Sequence, residues 1–265
     1  MLRLENVTKI FNPNTVNQKS ALVEIFLELA EGDFITVIGS NGAGKSTLLN
    51  VIAGVYPIDA GSITLDGNDI KGLPEHRRAY SIGRVFQDPM RGTAPSMTVE
   101  ENLSMAMARG KKRGLKLGIR KDQRQFFADR LALLELGLEN RLKDKVGLLS
   151  GGQRQAITLL MATLTHPRLL LLDEHTAALD PKTAKKIVEL TEKIVGENNL
   201  TTLMVTHNME QALRLGNRLI MMHEGRIILE LADDFKQKMT VNGLLQEFEH
   251  LRGEAFVSDR VVLAT

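Results

Sequence analysis

The stretch that decides the fold is Gly39-Ser40-Asn41-Gly42-Ala43-Gly44-Lys45-Ser46-Thr47, which fits the pattern G-x-x-x-x-G-K-[ST]. It follows the apolar run Phe34–Ile38, typical of a strand, and leads into Lys45–Ala53, typical of a helix. Glycines at such a junction let the main chain wrap around phosphate oxygens, and the helix N-terminus directs unpaired N–H groups at them. We expect Lys45 to neutralise the β- and γ-phosphates and Ser46 to offer its hydroxyl to Mg²⁺. The alternative, an ordinary glycine-rich turn, explains neither the Lys-Ser pair nor the flanking elements.

A second motif follows the apolar run Leu169–Leu172, which ends in Asp173 and Glu174. A strand of leucines in the middle of a parallel sheet brings Asp173 to the carboxyl edge beside the phosphate loop, where its carboxylate holds Mg²⁺ through water. Glu174 points elsewhere and is placed to polarise the water that attacks the γ-phosphate. Alone, an Asp-Glu pair often only begins a loop, but together with the phosphate loop it predicts ATP hydrolysis.

Composition excludes several other classes of protein. The chain has 265 residues, 43% hydrophobic and 25% charged, with a net charge of +2 and no cysteine. These values exclude a disordered chain, a disulfide scaffold, a thiolate metal site and a cysteine nucleophile. The start Met1–Val7 lacks the apolar stretch of a signal peptide, and the longest apolar segment, Ala156–Leu172, is broken by His166-Pro167-Arg168. We therefore expect a soluble, cytoplasmic chain.

The remaining sequence predicts an α/β core into which a helical segment is inserted. Strands are predicted at Leu2–Phe11, Ala21–Leu29, Asp33–Ile38, Ser62–Leu65, Leu169–Leu172, Thr201–Val205, Leu219–Met222 and Arg226–Leu231, with a mixed sheet in the first third of the chain. Five helices are predicted. The first spans Lys45–Ala53 and ends before Gly54, the second begins at the Thr98/Glu101 capping box, and the third carries Phe127, Leu131 and Leu134 on one face and ends at Gly137. The fourth runs from Asp180-Pro181 to about Val195, and the fifth spans about Val241–Leu251. The core is expected at about 1–89 and 166–265, with the helical subdomain at about 90–165.

Leu149-Ser150-Gly151-Gly152-Gln153 distinguishes between families that share the first two motifs. It resembles the signature motif of ATP-binding-cassette (ABC) ATPases, and it precedes the Asp173-Glu174 strand as in that family. Ser150 and Gln153 also form a capping box, and both interpretations hold, since a capped helix start with two glycines is also an anion site. The resemblance implies that this helix start closes on ATP held by a second copy, so that a homodimer encloses two ATP molecules. A phosphate-loop kinase, the competing class, has no use for such a motif.

Four further positions resemble the same family. Phe86-Gln87-Asp88-Pro89 is similar to the glutamine loop, which implies that Gln87 reaches Mg²⁺ and the attacking water. Ala178-Leu179-Asp180 resembles the loop that meets the other subunit. His207, after a predicted strand, resembles the switch histidine that contacts the γ-phosphate, and Phe11 stands where an aromatic ring, more commonly Tyr, stacks on adenine. The family implies an α/β phosphate-loop core with a mixed or parallel sheet, an N-terminal antiparallel β subdomain and an inserted helical subdomain.

Another position departs from the family's pattern, besides Phe11 and the unusually apolar stretch Ala156–Met161. His175 follows Glu174 where the family commonly has Pro. An imidazole beside the carboxylate would make turnover sensitive to pH, whereas a tolerated loop residue would have no such effect.

A single cassette without a membrane span implies that other subunits complete the machine. The resemblance implies transmembrane permease subunits, an extracytoplasmic substrate-binding protein that acts through them, and a position at the cytoplasmic face of the cell membrane. The sequence looks most similar to cassettes of bacterial amino-acid importers, in particular a branch linked to tryptophan, tyrosine or unassigned substrates. The alternative is a soluble ABC ATPase that serves an assembly such as iron-sulfur cluster biogenesis.

A basic run in the helical segment allows several interpretations. It consists of Arg109, Lys111, Lys112, Arg113, Lys116, Arg120, Lys121 and Arg124. Such a run is most often a solvated loop, and contact with anionic headgroups or a membrane partner is the next choice. Nucleic acid is not expected as a partner because no stacking aromatic residues are interleaved.

Overall fold

The computed structural model describes residues 1–110 and 119–262, with side chains described as far as residue 251. Its strands are β1 (Leu2–Phe11), β2 (Lys19–Leu29), β3 (Phe34–Gly39), β4 (Ala60–Leu65), β5 (Asn68–Asp69), β6 (Ile82–Val85), β7 (Leu169–Asp173), β8 (Thr201–Val205), β9 (Arg218–His223) and β10 (Arg226–Ala232). Its α-helices are α1 (Lys45–Ala53), α2 (Glu75–Arg78), α3 (Val99–Met107), α4 (Lys121–Ala132), α5 (Gly151–Thr163), α6 (Pro181–Glu197), α7 (Met209–Arg214), α8 (Asp233–Lys238) and α9 (Val241–Val262).

The larger sheet has six strands in the order β10-β9-β3-β8-β7-β6. All are parallel except β10, which runs antiparallel to β9. As the unbroken apolar run predicts, β7 is covered on both faces: Leu169 and Leu171 belong to one apolar core, and Leu170 and Leu172 to the other. Because the parallel strands share a direction, β3, β7 and β8 all end at the same edge, and the phosphate loop and Asp173 lie there.

The smaller sheet is antiparallel and has the order β2-β1-β4-β5. The prediction of one mixed sheet in the first third is therefore wrong, because β3 leaves its neighbours and joins the larger sheet. The physical reason lies in the burial pattern. On β1 buried and exposed side chains alternate over much of the strand, as suits a sheet with one solvated face, whereas Phe34–Ile38 on β3 are all buried. Together the two sheets confirm the predicted α/β phosphate-loop fold.

The predicted helix starts are confirmed, and two predicted helix ends are wrong. Thr98 Oγ1 accepts from the Glu101 N–H at 3.3 Å, and the Thr98 N–H donates to Glu101 Oε2 at 2.7 Å, so the capping box is formed. Helix α4 ends at Ala132 rather than near Gly137, because the chain tightens there and Glu135 adopts a left-handed φ of 54°. The described part of α9 continues to Val262, beyond the predicted end at Leu251.

Between β6 and β7 the described residues form α-helices and 3₁₀ turns, and they pack on one face of the larger sheet. The subdomain boundaries near residues 90 and 165 stay a prediction. None of the helices in the described ranges has the length and apolar character needed to cross a membrane.

Candidate functional site

Lys45 begins α1 and lies over the phosphate loop. Its side chain is buried, and its Nζ donates to the carbonyls of Gly39 at 2.8 Å and Ser40 at 2.9 Å. Burial lowers the pKa of Lys45, while the nearby carboxylates of Glu174 and Asp173 oppose that shift. The ammonium is thus fixed where it faces the loop, and its charge is favoured by two acidic neighbours.

Two glycines of the loop leave no space for a side chain. Gly44 has a φ of 100°, and a Cβ there would lie 2.4 Å from the carbonyl oxygen of Ala21 on β2. A Cβ on Gly39 would lie 2.1 Å from the carbonyl oxygen of Met222 on β9. In addition, the Gly225 N–H donates to the Ala43 carbonyl at 3.0 Å. The loop is therefore clamped between β2 and the turn that follows β9.

The other end of α1 is held by Arg78, which the sequence analysis did not single out. Its side chain is buried, and Nη1 donates to the carbonyls of Val51 and Ile52, both at 2.9 Å. Nε and Nη2 donate to the carbonyls of Leu73 at 2.8 Å and Lys71 at 3.0 Å. One guanidinium therefore pairs two carbonyls in the last turn of α1 and ties them to the segment that precedes α2.

The predicted acidic motif lies beside the loop. Ser46 Oγ donates to Asp173 Oδ1 at 3.4 Å, and Glu174 Oε1 lies 2.6 Å from His207 Nε2. Glu174 has a left-handed φ of 46°, and its N–H donates to the Val205 carbonyl at 3.0 Å. This turn lets Glu174 leave the direction of β7 and face the histidine that follows β8. Three segments that are distant in sequence thus meet at one edge of the sheet, and they contribute Ser46, the pair Asp173 and Glu174, and His207.

A cleft extends from this edge to the smaller sheet. It is lined by Phe11, Lys19, Ala21, Asn41, Gly42, Ala43, Gly44, Lys45, Ser46, Thr47, Glu174 and His207. Phe11 contacts Tyr56 edge to face, with ring centroids 5.2 Å apart. Lys19 lies opposite Phe11 in the register of β1 and β2, and the sequence analysis missed it because only the pairing of the strands brings it to the cleft.

The oxygen donors in the cleft fit Mg²⁺. The Ser46 hydroxyl and the Asp173 carboxylate are hard oxygen ligands side by side. Among the residues that the structure describes, no group of three or more His, Cys, Asp and Glu side chains could hold a metal unaided. A cation at this place therefore needs oxygens from a bound phosphate chain as well, which is the usual arrangement for Mg²⁺ in nucleotide sites.

Gln87 and the segment Ser150–Gln153 do not line this cleft in the described chain. Gln87 is exposed after β6. The predicted capping box of α5 is confirmed: Ser150 Oγ accepts from the Gln153 N–H, and Gln153 Oε1 accepts from the Ser150 N–H, both at 3.2 Å. Gly152 packs on α6 so closely that a Cβ would lie 2.1 Å from Thr183 Cγ2. The segment therefore forms a rigid helix start outside the cleft of its own chain.

Arg84 on β6 is a neighbour of the acidic motif that the sequence analysis missed. Its Nη2 lies 3.5 Å from Asp173 Oδ2 and donates to Asn50 Oδ1 at 2.8 Å. Its guanidinium lies over the Phe86 ring, 4.5 Å from the centroid. Burial lowers the pKa of Arg84, and the charge of Asp173 opposes this. The only signal in the sequence was a lone arginine in the short apolar run Ile82–Val85.

His175 does not lie in the cleft. Its side chain is 1% exposed, and its Nε2 lies 3.0 Å from Thr191 Oγ1 on α6. Burial lowers the pKa of His175 to about 4. The imidazole therefore points into the interior, away from the face on which Glu174 meets His207.

The basic run is described only in part, since Lys111, Lys112, Arg113 and Lys116 lie outside the described residues. Arg124 forms an ion pair with the buried Glu100 on α3 at 2.7 Å, and Arg120 pairs with Asp122 at 2.8 Å. Burial lowers the pKa of Arg109. Arg109 is therefore half-buried, and Arg124 is exposed but paired with Glu100, while the interpretation of the whole run as a solvated loop stays a prediction.

Comparison with known proteins gives concordant matches. A sequence model of the ABC transporter family matches residues 22–177. The chain is 48% identical over 251 residues to a tyrosine transport ATP-binding protein of Clostridioides difficile (strain R20291), over 94% of this chain and 99% of that protein. It is 36% identical to the Fe(3+) ions import ATP-binding protein FbpC of Streptomyces coelicolor (strain ATCC BAA-471 / A3(2) / M145), over 86% of this chain and 60% of that protein. A dimeric ATP-binding cassette in a post-hydrolysis state, bound to ADP and Pi, superposes with a TM-score of 0.75 at 32% identity, over 88% of this chain and 98% of that one.

Proposed function

This chain belongs to the ABC transporter family and is the ATP-hydrolysing subunit of an importer, and on that premise we propose which of its residues act on ATP and what it helps to import. The observation that carries the proposal is that the phosphate loop, Glu174 and His207 line one cleft, with Asp173 bonded to Ser46 of that loop and Glu174 Oε1 2.6 Å from His207 Nε2. A loop for phosphates next to a paired carboxylate and imidazole fits phosphoryl transfer to water.

ATP binds with its base on Phe11 and its phosphates in the loop Gly39–Thr47. The loop supplies main-chain N–H groups and the N-terminus of α1, and Lys45 exchanges its two carbonyl partners for phosphate oxygens. Ser46 would hold Mg²⁺ directly and Asp173 through water, with Gln87 as the further ligand that the family pattern implies. When bound, Mg²⁺ neutralises the charge on the phosphate oxygens.

Hydrolysis depends on Glu174, which orients the attacking water and accepts its proton. His207 is held against Glu174 and is placed to contact the γ-phosphate as charge develops on it. Both side chains are presented next to main chain that is fixed to the sheet, since the Glu174 N–H donates to the Val205 carbonyl and the N–H of Thr206, the residue before His207, donates to the Val37 carbonyl. Catalysis thus consists mainly of positioning and charge stabilisation.

A second copy of the chain completes the site. Ser150–Gln153 lies outside the cleft of its own chain, yet its capped helix start leaves N–H groups suited to an anion. We therefore infer a head-to-tail homodimer in which Ser150, Gly151, Gly152 and Gln153 of one chain close on ATP in the other. Closure and reopening of the dimer would drive the membrane subunits between their two states.

The membrane partners are transmembrane permease subunits, which receive the transported solute from a substrate-binding protein on the other side of the membrane. They hold this chain at the cytoplasmic face. The relative from Clostridioides difficile, named for tyrosine transport, aligns over 94% of this chain. We infer from this relative that the cargo is an aromatic amino acid such as tyrosine or a similar small solute.

The role of Glu174 is tested with Glu174→Gln, with Glu31→Gln on the exposed turn before β3 as the matched control. We expect Glu174→Gln to bind ATP normally, to hydrolyse it at least about 100-fold more slowly and to elute as an ATP-bound dimer in size-exclusion chromatography. Normal steady-state hydrolysis by this variant would contradict the assigned role.

The transport role is tested by isolating the tagged chain from native membranes in mild detergent and identifying its partners by mass spectrometry. We expect a polytopic permease, and uptake of labelled tyrosine that is lost in cells carrying Glu174→Gln. Recovery of soluble partners alone would support the alternative of a soluble assembly ATPase, while uptake of a different solute would correct the cargo only.

A further inference from the structure

His175 is a departure from the family pattern that the function above does not use. Consecutive side chains separate at this point, because Glu174 faces the cleft and His175 enters the core, where its side chain is 1% exposed. The left-handed φ of 46° at Glu174 makes this separation possible. A non-glycine residue in that conformation is strained and persists only where neighbouring contacts hold it.

The contact of His175 with α6 has a defined direction. Thr191 Oγ1 donates its single hydrogen to the Ile187 carbonyl at 2.8 Å, so toward His175 it acts as the acceptor. His175 Nε2, 3.0 Å away, therefore carries the proton and donates it. Nδ1 is then the unprotonated nitrogen, and it is buried without a hydrogen-bond partner. In the neutral imidazole, the geometry thus places the single proton on Nε2.

We propose that His175 is a positioning residue for Glu174: its Nε2–H donates to Thr191 on α6 and thereby holds the turn that presents the Glu174 carboxylate to the cleft. Three contacts fix that turn. The Glu174 N–H is held by the Val205 carbonyl, the Glu174 carbonyl accepts from the Ala177 N–H at 2.9 Å, and the side chain of the next residue is anchored in α6. The proposal rests on the proposed role of Glu174 as the residue that orients water.

The anchor should affect the chemical step and leave nucleotide binding unchanged. Lys45 and the phosphate loop depend on β2, β3 and the turn after β9, and none of these contacts involves α6. Loss of the anchor lets the turn at Glu174 relax, so the carboxylate spends less time at the water. The consequence is a lower kcat at an unchanged KM for ATP.

The test is Thr191→Val, which removes the acceptor and keeps the shape. Thr163→Val is the matched control, because Thr163 is also a buried helical threonine and its hydroxyl donates to the Leu159 carbonyl of its own helix at 2.9 Å, while none of the side-chain hydrogen bonds found among the described residues is donated to it. We expect kcat to fall about tenfold in Thr191→Val, with KM for ATP within about twofold of the parent value. We expect Thr191→Ser and Thr163→Val to retain the parent kcat.

A second measurement does not depend on activity. Nitrogen-15 NMR of the full chain labelled at histidine distinguishes the two neutral tautomers, and the signal that disappears in His175→Gln identifies His175. We expect the pattern of an imidazole protonated at Nε2. Protonation at Nδ1, or a kcat in Thr191→Val equal to that of Thr163→Val, would overturn the proposal. If Glu174→Gln itself hydrolysed ATP normally, the proposed function would fail first, so the two failures are distinguishable.

Discussion

Replacement of Arg78 by methionine tests whether one guanidinium holds the helix that carries the phosphate loop. Arg78 is buried and remains charged at neutral pH, although burial lowers its pKa, because an arginine ordinarily titrates far above neutrality. Its bonds to the Val51 and Ile52 carbonyls are both buried. A hydrogen bond to a charged group contributes about 1.5–3 kcal/mol, so the two amount to about 3–6 kcal/mol. Burial of the methionine side chain returns about 1.5–3 kcal/mol.

We therefore expect Arg78→Met to lower the free energy of unfolding by about 1.5–3 kcal/mol, the difference of these contributions. The assay is urea unfolding followed by circular dichroism at neutral pH. Arg77→Met is the control, because Arg77 is the adjacent arginine of α2 and is exposed. A loss in Arg78→Met that differs from the control by less than about 0.5 kcal/mol, the effect expected of an ordinary surface substitution, would refute the reasoning.

Three further substitutions test other contacts of the structure. Lys45→Ala should weaken ATP binding about 10- to 100-fold because a charge-assisted contact to phosphate is lost; unchanged affinity in calorimetry would contradict the phosphate role. Gly44→Ala should lower Tm by more than Gly67→Ala, because both glycines have a positive φ but only Gly44 faces main chain at 2.4 Å; equal shifts would contradict the steric account. Lys236→Met should lower the free energy of unfolding by about 1–3 kcal/mol, because two main-chain carbonyls just after α7 lose the buried ammonium group that donates to them. Lys238→Met is the control, since Lys238 is exposed and its replacement should not lower the free energy of unfolding.

Much of the site could be predicted because its residues lie in contiguous motifs. The phosphate loop joins an apolar run to a helix, and the capping box at Ser150 is readable from spacing alone. The same holds for β7, whose leucines are buried on both faces, so that the position of Asp173 at the sheet edge followed from the run that precedes it.

The remaining residues could not be predicted, because their roles depend on contacts between distant segments. Arg78 follows a histidine and another arginine, and such a run is usually exposed; only the fold places its guanidinium under the end of α1. Strand β6 is four residues long and includes Arg84, so its pattern did not stand out. The separation of β3 from its sequence neighbours required knowledge of which strands are covered on both faces.

The clamped phosphate loop has a thermodynamic consequence for nucleotide binding. Fixing the main chain of one residue costs about 1–2 kcal/mol of conformational entropy. Here Gly225 holds Ala43, and the main chains of β2 and β9 closely flank Gly44 and Gly39, so part of this cost is met when the protein folds. Preorganisation of this kind leaves a larger share of the free energy of the phosphate contacts as affinity, although the two hydrogen bonds that Lys45 gives up are subtracted from it. In the homodimer proposed above, each turnover would then change the contact between the two chains rather than the shape of the loop.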